Sequence, residues 1–307
     1  MALYRVNNQD MIEIQEELFI KEKDMQVLIE SNLENLFNLK FVATEFSVEN
    51  FRLDTVAFDE ETQGFIIIEY KKGKLSSVID QGYAYLNTLL AHKGEFVLSY
   101  NEQYPNQVKK IKNIDWSQTR VIFVANDYTN YQYGAINNPD LPIDLVMIKK
   151  YKNGLINVET LNKSSSKQSK VDQQIKNETS KKGLSKEIKV YTEDEHVQKG
   201  SPEIQELYEE IKEIILSWDS KIIIKPTKLY NSFKLKRNIV DIQVQKNALK
   251  IWVNLKYRKL HDFENVARDV SNTGHWGNGD YEITIQDNQN IEYIASLIKQ
   301  SWRHHKE

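Results

Sequence analysis

The chain has 307 residues, 40% hydrophobic and 10% aromatic, with no cysteine; it can fill two ordinary cores, which excludes disordered, fibrous, disulfide-stapled and cysteine-zinc classes and leaves oxygen or histidine to hold any metal. The net charge of −3 conceals 16 basic against 23 acidic residues in 1–160 and 25 against 21 in the remainder. An acidic first half excludes a general DNA-coating role, so a bound nucleic acid is met through a local patch.

The N-terminal run MALYRVNNQDMIEIQ lacks a basic stretch followed by an apolar one, and no apolar run approaches ~18 residues, so a cytoplasmic chain without membrane spans is expected. The pattern then predicts a helix over 22–38, strands at 41–47, 51–58 and 64–71, and a helix at 75–92. A strand at 119–125 and a pair at 143–151 and 154–160 follow. The acidic turn DEETQ before Gly64 joins the second and third strands as a hairpin. Residues 1–161 thus read as an α/β domain with an αβββαβ core. Residues 162–200 are rich in Ser, Lys, Gln and Asn and read as a polar linker. Beyond them, Ser201 and Pro202 open a helix to about 217. Strands at 221–225, 229–235, 238–245, 248–255 and 280–285 and a helix at 290–302 make a smaller α+β domain, 201–307.

Within the hairpin NFRLDTVAFDEETQGFIIIEYKK, Asp54 interrupts one strand, and Glu69 ends the apolar run FIII with Lys71 two residues on. Residues i and i+2 of a strand share a face, so Glu69 and Lys71 project together. Charges beside an apolar strand need partners, and two carboxylates with a lysine supply them for a divalent cation and a water. Two hard oxygen ligands, Asp54 and Glu69, suit Mg2+, with Mn2+ as a substitute. The structural alternative is a buried salt bridge between Lys71 and the two acids. Gln81 and Tyr85, four apart, share a face of the second helix. Lys72 and Lys74 beside the motif are either phosphate contacts or a solvated loop. Tyr83 is expected to be half-buried.

Asp54, then Glu69-Tyr70-Lys71, then a helix bearing Gln81 and Tyr85 resembles the PD-(D/E)XK nuclease superfamily, closest to the branch of archaeal mismatch and flap endonucleases. The resemblance covers about residues 20–160; the proline of the family's first motif is replaced by Leu53. It implies a restriction-endonuclease-like fold and metal-dependent phosphodiester hydrolysis, with metal on Asp54 and Glu69 and Lys71 orienting the attacking water. It also implies that Gln81 borders the site and that the first helix adds a glutamate. Of Glu22, Glu30 and Glu34, only Glu22 falls, with Gln26, within the apolar stripe of Met25, Leu28, Ile29, Leu33, Leu36 and Phe37 at ~100° per residue. Glu22 is therefore the expected third ligand, or else a cap of the first turn. Glu45 is a further candidate carboxylate.

In the second domain the loop RDVSNTGHWGNGDY, 268–281, resembles one in a family of small uncharacterised domains appended to such nucleases. His275 and Trp276 there either stack on a base or serve a tight turn and a core plug. Lys234, Lys236 and Arg237 mark either a nucleic-acid contact or a half-exposed strand, and His304 and His305 are expected to fray. The resulting expectation is an endonuclease acting on DNA, in repair, restriction or anti-phage defence. The alternative is a non-catalytic module that keeps the nuclease fold to bind nucleic acid or protein. Cutting both strands commonly needs two active centres, which is compatible with a homodimer, although no residue specifies one.

Overall fold

The run GFIIIEYK, Gly64–Lys71, is apolar at every position up to its two charged residues and is buried on both faces, as a central strand requires. The computed structural model describes residues 2–72, 78–129, 132, 142–161, 189–274 and 277–306, in two units, Met1–Lys189 and Val190–Glu307. No helix among the described residues is long and apolar enough to cross a membrane.

In the first unit the strands are β1 (Leu3–Asn7), β2 (Asp10–Ile14), β3 (Glu16–Glu17), β4 (Lys40–Val48), β5 (Phe51–Asp59), β6 (Gly64–Lys71), β7 (Arg120–Ala125), β8 (Ile143–Tyr151) and β9 (Ile156–Leu161). The helices are α1 (Glu22–Glu30), α2 (Leu33–Phe37), α3 (Val78–Ala91) and α4 (Lys93–Gln103). Among the described residues β1 and β2 form a separate hairpin, and the main sheet runs β3-β8-β7-β6-β5-β4 with β9 also on β8. The β6-β7 and β7-β8 pairs are parallel; β4-β5 and β5-β6 are antiparallel. Strand alternation divides the core. Phe65 and Ile67 pack with Leu86, Leu89 and Phe96 beneath α3 and α4, while Ile66, Ile68 and Tyr70 pack with Met25 and Ile29 of α1. Each of these buried side chains contributes about 2 kcal/mol by leaving water.

The helix expected over 22–38 is broken at Ser31 and Asn32. Their side chains bond back to the Val27 and Leu28 carbonyls at 2.8 Å each, a competition that ends helices. The expected helix at 75–92 is seen as α3, and residues 73–77, Lys74 among them, lie outside the described residues. Helix α4 was not expected; its buried residues Phe96, Val97 and Tyr100 give too short a stripe to read alone.

The second unit adds α5 (Glu193–Val197), α6 (Pro202–Leu216), β10 (Ile223–Pro226), β11 (Asn231–Lys234), β12 (Asn238–Gln245), β13 (Ala248–Val253), β14 (Arg268–Asp269), β15 (Tyr281–Ile285) and α7 (Ile291–Lys306). Its antiparallel sheet is ordered β10-β11-β12-β13-β15-β14 and packs its apolar face on α6 and α7. The expected linker therefore ends sooner than residue 200. Thr192 caps α5, and His196 is fully buried with Nε2 2.8 Å from the Thr227 carbonyl oxygen. Averaging composition over the whole polar stretch hid this short packed end; residues 162–188 lie outside the described ones. His305, expected to fray, sits in α7 with Nε2 2.8 Å from the Asn254 carbonyl oxygen.

Candidate active site

The β5-β6 ladder ends at Thr55↔Ile68, and immediately beyond it stand Asp54 on one strand and Glu69 on the other. Across from Asp54, between the pairs Thr44↔Thr55 and Phe46↔Leu53, Glu45 takes a left-handed φ of 50°, which breaks the regularity of β4 as well. The Asp54 carboxylate turns to β6 and accepts the Tyr70 N–H at 3.0 Å. Glu69 lies on the face that carries α3. Its Oε1 accepts from Lys71 Nζ at 2.7 Å and from Gln81 Nε2 at 3.1 Å. Gln81 Nε2 is also 2.7 Å from the Tyr85 hydroxyl oxygen, and that hydroxyl adjoins Glu69. The second oxygen, Glu69 Oε2, is buried with no hydrogen-bond partner.

Glycine positions the helix that brings Gln81. A Cβ on Gly82 would stand 2.7 Å from Ile143 Cδ1 and 3.4 Å from Phe123, so α3 approaches the sheet closely only because residue 82 has no side chain.

Burial raises the Glu69 carboxyl above its ordinary pKa, and the neighbouring Asp54 charge adds to the rise. Asp54 is raised as well, by burial first, with the Tyr70 N–H and Lys71 pulling the other way. For Lys71, burial opposes the charge, but the bond to Glu69 and the charges of Asp54 and Glu22 outweigh it and raise the ammonium. Two carboxylates thus sit together under strain of like charge, with one acceptor oxygen left over. That donor set fits a divalent cation. Among the described residues no three His, Asp or Glu side chains group as a metal cage, so an ion held by Asp54 and Glu69 would complete its shell from water and substrate oxygens, the habit of Mg2+.

The inward position expected of Glu22 is not what the structure has. Glu22 is exposed at the start of α1, where the helix has not yet reached the cover of the sheet, and its Oε1 accepts the Lys72 N–H at 2.7 Å. Nor does it cap: Asp24 accepts the Lys21 N–H at 3.1 Å. Its charge still reaches Asp54 and Lys71. Glu45 is engaged elsewhere, by Lys23 at 2.7 Å and Arg52 at 2.6 Å. Lys72 donates its ammonium to the Ile20 carbonyl at 2.9 Å. Tyr85 is buried rather than displayed to a ligand, edge-on to Phe51, because it lies over the Leu86 and Leu89 stripe; Tyr83 is half-buried as expected. His275 and Trp276 lie outside the described residues. Sequence reading missed the inward turn of Glu30, which takes bonds from Thr55 and Gln26; the one signal was a polar Gln26 inside an apolar stripe.

An uncharacterized protein of Haemophilus influenzae is 46% identical over 302 residues, 98% of this chain and 99% of that protein. The chain belongs to that protein's family. Residues 193–305 match the model of a domain of unknown function, DUF5655, which begins at α5 and so includes the end of the expected linker. Three solved structures are similar in part. A repair endonuclease from Pyrococcus abyssi is 18% identical over 43% of this chain and 48% of its own, at a TM-score of 0.24. EndoMS, in a complex with double-stranded DNA, is 15% identical over 42% and 57%, at 0.21. SfsA of Pyrococcus furiosus, in complex with Ca2+, is 17% identical over 45% and 61%, at 0.25. At those scores the likeness decides neither fold nor activity. The chain spans about half to three-fifths of those molecules.

Proposed function

We propose that the first unit is a metal-dependent endonuclease of the PD-(D/E)XK type that hydrolyses phosphodiester bonds in DNA. The observation that carries this reading is the unpartnered, buried Glu69 Oε2 beside Asp54, on a carboxylate whose other oxygen is held by Lys71 and Gln81. A merely structural carboxylate at such a depth would be satisfied on both oxygens. When bound, Mg2+ or Mn2+ would polarise the scissile phosphate and make water a better nucleophile.

The chain's own residues have distinct parts. Asp54 and Glu69 hold the ion, whose charge would offset the burial that raises both carboxyl pKa values. Lys71 stays charged and stands where it can orient the attacking water and steady negative charge building on the phosphate oxygens. Gln81 fixes the orientation of the Glu69 carboxylate through Oε1. Water adds to phosphorus and gives up a proton to solvent, a P–O bond breaks, and the leaving oxygen takes up a proton from solvent. The second unit would then contribute recognition of the substrate.

The test is cleavage of labelled single-stranded, duplex, flap and mismatched DNA and of RNA with Mg2+ or Mn2+, comparing the protein with Asp54→Asn and Lys71→Ala. Metal-dependent cutting of DNA that both substitutions abolish is the expected result. Binding of nucleic acid without cleavage, unaltered by either substitution, would replace it with the non-catalytic module.

A further inference from the structure

We propose that Gln26 is a positioning residue for Asp54, acting through the main chain from the face of the sheet opposite α3; this rests on the metal-site reading above. Gln26 is 3% exposed and lies among Met25 and Ile29, where an apolar residue would be the ordinary occupant. A buried primary amide is costly unless its hydrogen bonds are made. Here they are made in a specific place. Nε2 donates to the Asp54 carbonyl oxygen at 2.7 Å and lies 3.0 Å from both Glu30 Oε1 and Thr44 Oγ1, while Oε1 accepts from Lys23 Nζ at 3.0 Å.

The location gives these bonds their meaning. Asp54 sits one residue past the last β5-β6 pair, and on its other side it faces the left-handed Glu45 between two β4-β5 pairs, so no ladder pair is made at Asp54 itself. Its carboxylate is instead held by the Tyr70 N–H and its carbonyl by Gln26. A second path joins the same residues: Thr55 Oγ1 lies 2.6 Å from Glu30 Oε1 and 3.2 Å from the Tyr70 hydroxyl oxygen. Helix α1 thereby holds the Asp54 carbonyl and the neighbouring Thr55 from behind the sheet, and Gln26 is the α1 side chain that touches Asp54 itself. Residues that orient a metal ligand commonly change affinity or activity about 10- to 100-fold when removed.

The experiment is a calorimetric titration of the full chain with Mn2+ alone, for the wild type, Gln26→Met and Asp54→Asn, each checked for folding by circular dichroism. Gln26→Met keeps the length and packing of the side chain and removes its donors. The expected result is Mn2+ affinity lower by about 10-fold in Gln26→Met and lost in Asp54→Asn. Wild-type affinity in Gln26→Met, with loss in Asp54→Asn, overturns the positioning role and leaves the metal site standing. No Mn2+ binding by the wild type, or equal binding by Asp54→Asn, overturns the metal reading and this inference with it. If Gln26→Met does not fold, Gln26→Asn, one methylene short of the Asp54 carbonyl, takes its place with the same outcomes.

Discussion

The two ends of the β5-β6 hairpin carry buried or half-buried acids in opposite conditions. At the turn end, Glu60 accepts from Tyr100 at 2.7 Å, Lys40 at 2.9 Å and Lys109 at 3.0 Å, and from Gln63. Burial opposes its charge, but those donors more than offset it and bring the pKa down to about 2. At the open end, Asp54 and Glu69 are pushed up, and Glu69 keeps an oxygen without a donor. One hairpin thus holds a carboxylate that the fold completes and a pair that it leaves incomplete. Depth alone does not decide whether an acid is completed by the fold; the donors around it do.

The second unit supplies another completed acid. Asp241 is 0% exposed, yet it is bonded by Ser232, by Asn238 at 3.0 Å, and by the main-chain and side-chain nitrogens of Asn278 at 2.8 and 2.9 Å. It clamps the 277–280 segment onto the sheet, where a Cβ on Gly279 would fall 1.8 Å from the Val253 carbonyl oxygen.

The contrast is sharpest in activity. Asp54→Asn and Lys71→Ala should each lower cleavage at saturating Mg2+ by about 10³-fold or more, with thermal unfolding nearly unchanged in Asp54→Asn. Equal activity in either variant would break the division between the hairpin's two ends. Asp241→Ala removes the acceptor of four donors, of which the Asn238 and Asn278 side chains keep a second partner, and should cost about 3 kcal/mol in denaturant unfolding of the second unit. Glu60→Gln should cost about 2 kcal/mol, after allowance for solvent screening of a group one-third exposed, with cleavage rates retained.

Acid should separate the two ends by sign. The Glu60 pKa is depressed in the fold, so its contribution is complete above its ordinary 4.5 and is lost as pH falls towards about 2. The Asp54 and Glu69 values are raised, so their ionised forms weaken the metal-free fold at neutral pH, and protonation relieves this as pH drops through the raised values. Metal affinity should weaken as pH falls through that higher interval, because protons compete with the ion for the same two carboxylates. The smallest expected effect is Glu69→Gln, which should be neutral or stabilising by up to about 1 kcal/mol in the absence of metal, since it removes an under-satisfied charge. A loss of 2 kcal/mol or more on urea unfolding would show Glu69 to be structural.

Strand alternation alone put Glu69 and Lys71 on one face, and the apolar run before them marked a strand, whose central place in the sheet the structure supplied. The same reading placed Gln81 and Tyr85 on one side of α3, because helical spacing is local. It did not separate Glu22 from the sheet's cover, because a periodicity has no record of where a helix begins relative to the strands it crosses. It failed too at Ser31 and Asn32, where side chains bond back to the Val27 and Leu28 carbonyls and the helix is interrupted.

What the sequence by itself determined was therefore the shared face of Glu69 and Lys71, and the two alternating patterns that build the sheet and its helices. Only the tertiary structure decided which carboxylates were completed and which were left wanting a partner. Glu60 meets Lys40 and Lys109 across 20 and 49 residues of chain, and Gln26 meets Asp54 across 28. Such donors are supplied by packing of distant segments, and the balance between burial and bonding that sets each charge exists only once those segments have met.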